Sequence, residues 1–235
     1  MRNRVAIAAA ALLSASLLGC EEGRTSGFLL SGPTTGARVR VFNAVTTSPS
    51  VDFLLDGQVA ASNVAFGTPS GYVSVPSGSH RLQIRGTASG TILVDFTRDF
   101  ATAGSFSLIP APGLGTSGAL VTADDPTPTA GQTRVRLINV AAAAGPVSVY
   151  VTAPDADITS ATPAVPLLPF GVASDYVTRT PGTYRIRFTR AGSPNEVLLD
   201  TGGVTFDSGS VRSLVLTDSP GGGLPTMMSN ISDAS

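Results

Sequence analysis

The chain has 235 residues, 42% of them hydrophobic and 13% charged, with 15 basic residues against 16 acidic ones and a formal net charge of −1. That balance argues against nucleic acid as a partner, since nucleic-acid binders carry a strong basic excess. A single cysteine excludes an intramolecular disulfide, and the lack of tryptophan removes a common platform for stacking a sugar ring.

Arg2 and Arg4 precede an uncharged, largely apolar run from Val5 to Leu18, 14 residues long. A bilayer core needs about 20 apolar residues, so this run is too short to span one, but it suits the h-region of a secretion signal. Leu17-Leu18-Gly19-Cys20 resembles the bacterial lipobox, in which the cysteine is lipidated and becomes the first residue of the mature protein. The resemblance implies a signal peptide over residues 1–19 and lipidation at Cys20. Acyl chains there would anchor the chain without a transmembrane helix, at about 0.8 kcal/mol per buried methylene. Glu21 follows, and by resemblance to enterobacterial sorting it directs the lipoprotein to the outer membrane. Without Arg2 and Arg4 the mature chain carries 13 basic against 16 acidic residues, near −3. The Gly, Ser and Thr-rich stretch up to residue 36 reads as a flexible tether carrying one apolar patch, Phe28-Leu29-Leu30.

From residue 37 the pattern is that of short β-strands. Arg38-Val39-Arg40-Val41-Phe42-Asn43 alternates strictly, which predicts a strand with one buried face; Arg134-Val135-Arg136-Leu137-Ile138-Asn139 repeats it 96 residues later. Val51, Phe53 and Leu55 alternate next and run into Asp56-Gly57, a strong two-residue hairpin signal. Their counterparts Val147, Val149 and Val151 run instead into a longer loop, Thr152 to Ala164. Phe66-Gly67-Thr68-Pro69-Ser70-Gly71-Tyr72-Val73 then returns as Phe170-Gly171-Val172-Ala173-Ser174-Asp175-Tyr176-Val177, shifted by 104, so the loop's excess is eight residues. Strands are predicted next at 80–85, 91–97, 104–109 and 118–123, and in the second copy at 184–189, 196–201, 203–206 and 210–217. No stretch of a dozen residues after the signal shows helical periodicity, and turn signals recur every 8 to 12 residues. The fold expected is all-β: two tandem antiparallel β-sandwiches, immunoglobulin-like in the broad sense, of about seven strands each. They are placed at 37–125 and 133–219, joined by a linker at 126–132 and followed by a mobile tail at 220–235.

The same residues resemble a tandem pair from the domain-of-unknown-function family 4397, found in exported bacterial and archaeal proteins. In the first copy the resemblance is carried by Ala37 to Val41 with Asn43, Val51 to Gly57, Asn63 to Gly67, Ser70-Gly71-Tyr72 and Pro76-Ser77-Gly78. In the second it rests on Arg134-Val135-Arg136, Val147 to Pro154, Phe170-Gly171, Ser174-Asp175-Tyr176 and Pro181 to Tyr184. It covers roughly residues 37 to 219. One departure is the turn after the first strand, often Ser-Pro-Asp-Ala-Pro-like in the family and here Thr47-Ser48-Pro49-Ser50 and Ala142 to Pro146. No role of the family's aspartate there carries over. The resemblance implies an exported β-rich module and no established chemistry.

Reactive constellations are scarce. His80 is the sole histidine, so any Ser-His-Asp triad must use it, yet Tyr184 fills its place in the second copy and no G-x-S-x-G elbow exists. One histidine and a lipidated cysteine cannot form a zinc site of the usual kind. Asp155 with Asp157, or Asp124 with Asp125, lacks the further oxygen ligands calcium needs. No cofactor is implied. Arg38, Arg40, Arg134, Arg136, Arg185 and Arg187, with Arg81 and Arg85, sit at alternating positions and are expected to stripe a solvent face of each sheet. Such a stripe either meets a polyanion or guards the sheet by pairing with aspartates. Tyr72 and Tyr176 are expected to tie a turn to a strand through a hydroxyl–backbone bond, with Phe66 and Phe170 as core plugs. The function expected is that of a non-enzymatic outer-membrane lipoprotein of structural, adhesive or binding type, whose partner is a glycan or an envelope protein. The alternative is an accessory subunit of an export or polymer-handling assembly.

Overall fold

The structure, a computed structural model, describes residues 36–224 and 227–233. The expected signal peptide, Cys20 and the expected tether up to residue 35 lie outside the described residues. From Thr34 on, the chain forms one compact unit, and every regular element described in it is a β-strand.

The first half contains β1 (Ala37–Val41), β2 (Ser50–Leu55), β3 (Gln58–Ala65), β4 (Val73–Val75), β5 (Gly78–Gly86), β6 (Ile92–Phe100), β7 (Ser105–Pro110) and β8 (Ala119–Asp124). They form two sheets, ordered β3-β2-β5-β6 and β4-β1-β7-β8. The second half repeats the plan with β9 (Thr133–Val140), β10 (Val147–Thr152), β11 (Val165–Leu168), β12 (Val172–Ala173), β13 (Val177–Arg179), β14 (Gly182–Arg190), β15 (Val197–Phe206), β16 (Val211–Thr217) and β17 (Met227–Ser232). Here the order is β11-β10-β14-β15, and β12-β9-β16-β17 with β13 also on β9. All pairings are antiparallel except β1 with β7 and β9 with β16, which are parallel. The halves therefore share even the exception.

Local chemistry accounts for the turns. Asp56 and Gly57 both take positive φ, 51° and 81°, the combination that closes a two-residue hairpin in register with strand twist. In the second half β10 ends at Thr152 and β11 starts at Val165, with the long loop between. Arg187 donates from Nη2 to Ala156 O (2.9 Å) and Arg185 from Nη1 to Pro154 O (3.2 Å), fastening that loop to β14.

Each half has its own apolar core. Val39, Val41, Val51, Phe53, Leu82, Ile84 and Leu108 fill the first, and Leu137, Val147, Val149, Ile186, Phe188, Phe206 and Leu214 the second. A third cluster joins Phe42, Ile109 and Leu114 from the first half to Ile138, Val140, Val215 and Ile231 from the second. The four sheets thus stack as four layers with three apolar seams. Side chains alternate faces along a strand, so β1 sends Val39 and Val41 into its own sandwich and Arg40 and Phe42 toward the other half. β9 does likewise with Leu137 against Arg136 and Ile138.

Residues 227–232, expected within a mobile tail, form β17, antiparallel to β16 from Arg212↔Ser232 to Thr217↔Met227. The physical reason is the seam. Ile231 is 4% exposed within the third cluster, and the Gly-rich loop ahead of β17 is held by Gly221 N–H donating to Thr46 O (2.9 Å).

Candidate functional site between the two sandwiches

A dense convergence of polar side chains among the described residues lies beside the middle seam, and the repeated segment helps to build it. Gly67 and Gly171 sit at φ 74° and 75°, and each donates its N–H to the strand before it, at Asn43 O and Asn139 O (2.8 Å each). Ser70 and Ser174 accept from the N–H of Val41 and Leu137 (2.9 Å each). The chain is thereby returned along β1 and β9, and Tyr72 and Tyr176 arrive over the arginines. Asn43 and Asn139, both fully buried, fix the strand ends from behind. Asn43 Nδ2 donates to Val64 O and Asn139 Nδ2 to Leu168 O (3.1 Å each), while their Oδ1 atoms accept from Val45 N and Ala141 N.

Arg40 and Arg136 are each 2% exposed. Arg40 donates from Nε to Ser107 Oγ (2.8 Å) and from Nη1 to Ser232 O (2.6 Å), and its Nη2 pairs with Asp233 Oδ1. Arg136 donates from Nε to Ser213 Oγ (2.6 Å) and from Nη1 to Ala123 O (2.6 Å), and its Nη2 pairs with Asp124 Oδ1. Asp124 also accepts from Tyr72 (2.6 Å) and Ser107 (2.7 Å), and Asp233 from Tyr176 (2.8 Å) and Ser213 (2.6 Å). Arg40 of the first half thus holds the aspartate that follows β17, and Arg136 of the second half holds the one that ends β8. Exchanging the halves reproduces these contacts; in addition Arg40 Nε lies 3.5 Å from Asp124 Oδ2 and Arg136 Nη1 donates to Thr122 Oγ1 (3.2 Å).

The tyrosine rings complete the cage. The Arg38 and Arg40 guanidiniums lie 5.0 and 4.9 Å from the Tyr72 ring centroid; those of Arg134 and Arg136 lie 4.9 and 4.8 Å from that of Tyr176. Cations so placed are attracted to the ring face by about 0.5–2 kcal/mol. Burial first, and then the bond to Asp124, pushes the Tyr72 hydroxyl well above the usual phenol range; burial does the same for Tyr176. Both remain protonated donors at physiological pH. The local tyrosine-to-backbone tie expected of these two belongs instead to Tyr184, whose hydroxyl donates to Thr180 O (2.8 Å). Phe66, expected in the core, is only half-buried, and Phe170 packs on the middle seam.

The expected solvent stripe of arginines is corrected by this arrangement. Arg40, Arg136 and Arg187 are buried, because the face they occupy is covered by the other half or by the inserted loop. Arg134 pairs with Asp125 (2.7 Å), Arg185 with Asp200 (2.7 Å), Arg81 with Asp95 (2.5 Å) and Arg85 with Asp52 (2.8 Å). Arg38 is exposed at the rim and donates to Ser105 Oγ (3.1 Å). The set is thus not a continuous surface for a polyanion. His80 pairs through Nδ1 with Asp56 Oδ2 (2.6 Å), and its Nε2 is buried without a hydrogen-bond partner. Asp157 is taken up by Thr159 N–H and hydroxyl. Among the described residues no group of three or more His, Cys, Asp or Glu could hold a metal.

These pairs set the acid response. Asp95, Asp125 and Asp200 are held below the usual carboxylate range chiefly by Arg81, Arg134 and Arg185, and Asp52 by the Asn63 N–H and then Arg85. A carboxylate depressed on folding stabilises the native state above its unfolded pKa, about 3.9; that contribution is lost as pH falls through the folded pKa. The urea midpoint should therefore stay level from about pH 7 to 5 and fall steadily below about pH 4.

Residues 37–150 match the model of a family described as a domain of unknown function, DUF4397. The match runs through β1 to β8 and on into β9 and most of β10. No curated protein matches the chain in sequence. Among solved structures, similarity extends to a family 26 carbohydrate-binding module, CBMbc from Eubacterium rectale Amy13K in complex with maltoheptaose. That match has 13% identity, covers 81% of this chain and 95% of that one, and has a TM-score of 0.26. A putative adhesin from Bacteroides ovatus is also similar, at 8% identity, 80% and 90% coverage and a TM-score of 0.21. At these scores neither likeness carries a functional argument.

Proposed function

We propose that the chain is a non-catalytic cell-envelope lipoprotein of binding type, anchored through Cys20, which presents its two sandwiches as one rigid block to a glycan or an envelope protein. The observation that carries this reading is the closure of its richest polar cluster. The Asp124 and Asp233 side chains are 0% exposed, and among the described residues the side-chain hydrogen bonds they accept come from Arg40, Arg136, Tyr72, Tyr176, Ser107 and Ser213. Groups that in an open cleft would suit acid–base chemistry serve here to hold sheet to sheet, which leaves the outer sheets and loops for recognition. The lipobox-like Leu17-Leu18-Gly19-Cys20 supplies the anchor, and acylation there would favour the outer membrane by the character of Glu21.

Cys20→Ser is the first test. The variant should move from the membrane to the soluble fraction of the envelope with its fold intact by circular dichroism. Continued membrane retention would refute the anchor. Recovery of envelope glycan or protein on the acylated chain, abolished by competing excess of the Cys20→Ser chain, would establish the binding role.

A further inference from the structure

We propose that the surface joining the two sandwiches is a self-complementary surface whose fitting partner includes a second copy of this chain, the first half of one molecule docking on the second half of another.

Three observations carry this. Among the described residues no strand pairing crosses between β1–β8 and β9–β17, and there the halves meet through side chains, the Arg40 and Arg136 contacts to backbone, and a few loop bonds such as Ser229 Oγ to Gly67 O (2.9 Å). None of those contacts depends on the halves belonging to one molecule. The contact set is also reciprocal, with Arg40 to Asp233 matched by Arg136 to Asp124, and Tyr72 to Asp124 by Tyr176 to Asp233. Reciprocity of this kind is the mark of the isologous surface that builds symmetric dimers, and exchange of an identical element is a low-cost route to one. Finally, the only covalent connection between the halves is the short segment 125–132. It contains Pro126 and Pro128, is exposed over most of its length, and is tied to the second half through Arg134, which donates to Asp125 Oδ2 (2.7 Å) and Thr127 O (2.6 Å). Swinging it outward disturbs neither sandwich core. The exchanged dimer contains every contact of the closed monomer twice.

Two full-length chains, each also carrying Cys20→Ser to keep it in solution, test this. One carries Asp233→Arg and so places two cations at one latch; the other carries Arg40→Asp and places two carboxylates there. Each alone should unfold at a lower urea concentration than the parent. Unfolded together and refolded as an equimolar mixture, they should give a 1:1 dimer of twice the monomer mass by light scattering, with the midpoint raised. The exchanged arrangement sets the intact Arg40 against the intact Asp233 and pairs the two introduced groups. A mixture that behaves as the sum of its two chains overturns the proposal.

A second variant does not depend on the latch charges. Deleting residues 125–132 leaves one Cα step of about 3.8 Å between Asp124 and Thr133, which belong to layers of a kind that pack about 10 Å apart. This chain should be a folded dimer, and a folded monomer overturns the proposal.

Discussion

Replacing Asp233 by alanine is expected to lower the unfolding free energy by about 3–5 kcal/mol, the range for breaking one side of a buried ion pair. The carboxylate is fully buried and accepts from Arg40, Tyr176 and Ser213, so its removal leaves two hydroxyls without this acceptor and a desolvated guanidinium whose remaining carboxylate is Asp124, 3.5 Å from Nε. A surface pair such as Arg190 with Glu196, both about half exposed, should by contrast change stability by less than about 1 kcal/mol when broken. The measurement is urea denaturation at pH 7, followed by far-ultraviolet circular dichroism. Asp233→Ala combined with Arg40→Met should recover much of the loss, because a buried pair replaced as a unit by apolar groups is often close to neutral. A double variant no better than the single one would show that the arginine's bonds to Ser107 and to Ser232 O matter more than its charge pairing.

Ending the chain after Ser219 should have the larger effect. It removes the whole of β17 with Ile231 and Asp233, and turns β16 from a central strand into an edge. Loss of a buried isoleucine costs about 2–5 kcal/mol, and loss of Asp233 from its buried pair with Arg40, which keeps Asp124 at 3.5 Å, adds up to about 3–5. Together these approach the whole stability of an ordinary domain, about 5–15 kcal/mol. The second sandwich should lose cooperative unfolding while the first keeps part of its own core. Hydrogen exchange reads this directly: amides of β16 and β9 should exchange orders of magnitude faster, whereas those of β2 and β5, in the far sheet of the first half, should keep most of their protection. Uniform loss of protection across both halves would mean that the sandwiches stand or fall as a single cooperative body.

Much of the layering was legible from alternation alone. Val39 and Val41, or Val147 and Val149, announce a buried face whatever lies on the other side, and Asp56-Gly57 announces its hairpin. Alternation separates two faces but does not say what covers the polar one. Arginine at every second position of β1 fits a solvated surface as well as a latch, and the structure chose the latch for Arg40 and Arg136. The decisive partners were hidden because they lie where the repeat is weakest. Asp124 closes β8 next to the linker and Asp233 closes β17 beyond a Gly-rich loop, 109 positions apart. Extending the comparison of the two copies through Ser107 and Ser213 to these aspartates would have exposed them. β17 itself, Met-Met-Ser-Asn-Ile-Ser, lacks β-branched residues apart from Ile231, and long-range packing rather than propensity makes it a strand.

The placement of β1 also has a mechanical side. A pull entering at Gly36 and directed along β1 meets two ladders at once, the antiparallel one to β4 and the parallel one to β7. Such a load shears many hydrogen bonds together instead of unzipping them singly. Part of it passes sideways through Arg40 into Ser232 and Asp233, at the far end of the chain. Tension on the first strand therefore presses on the last, and the block resists being drawn out thread by thread from the end by which it would be moored.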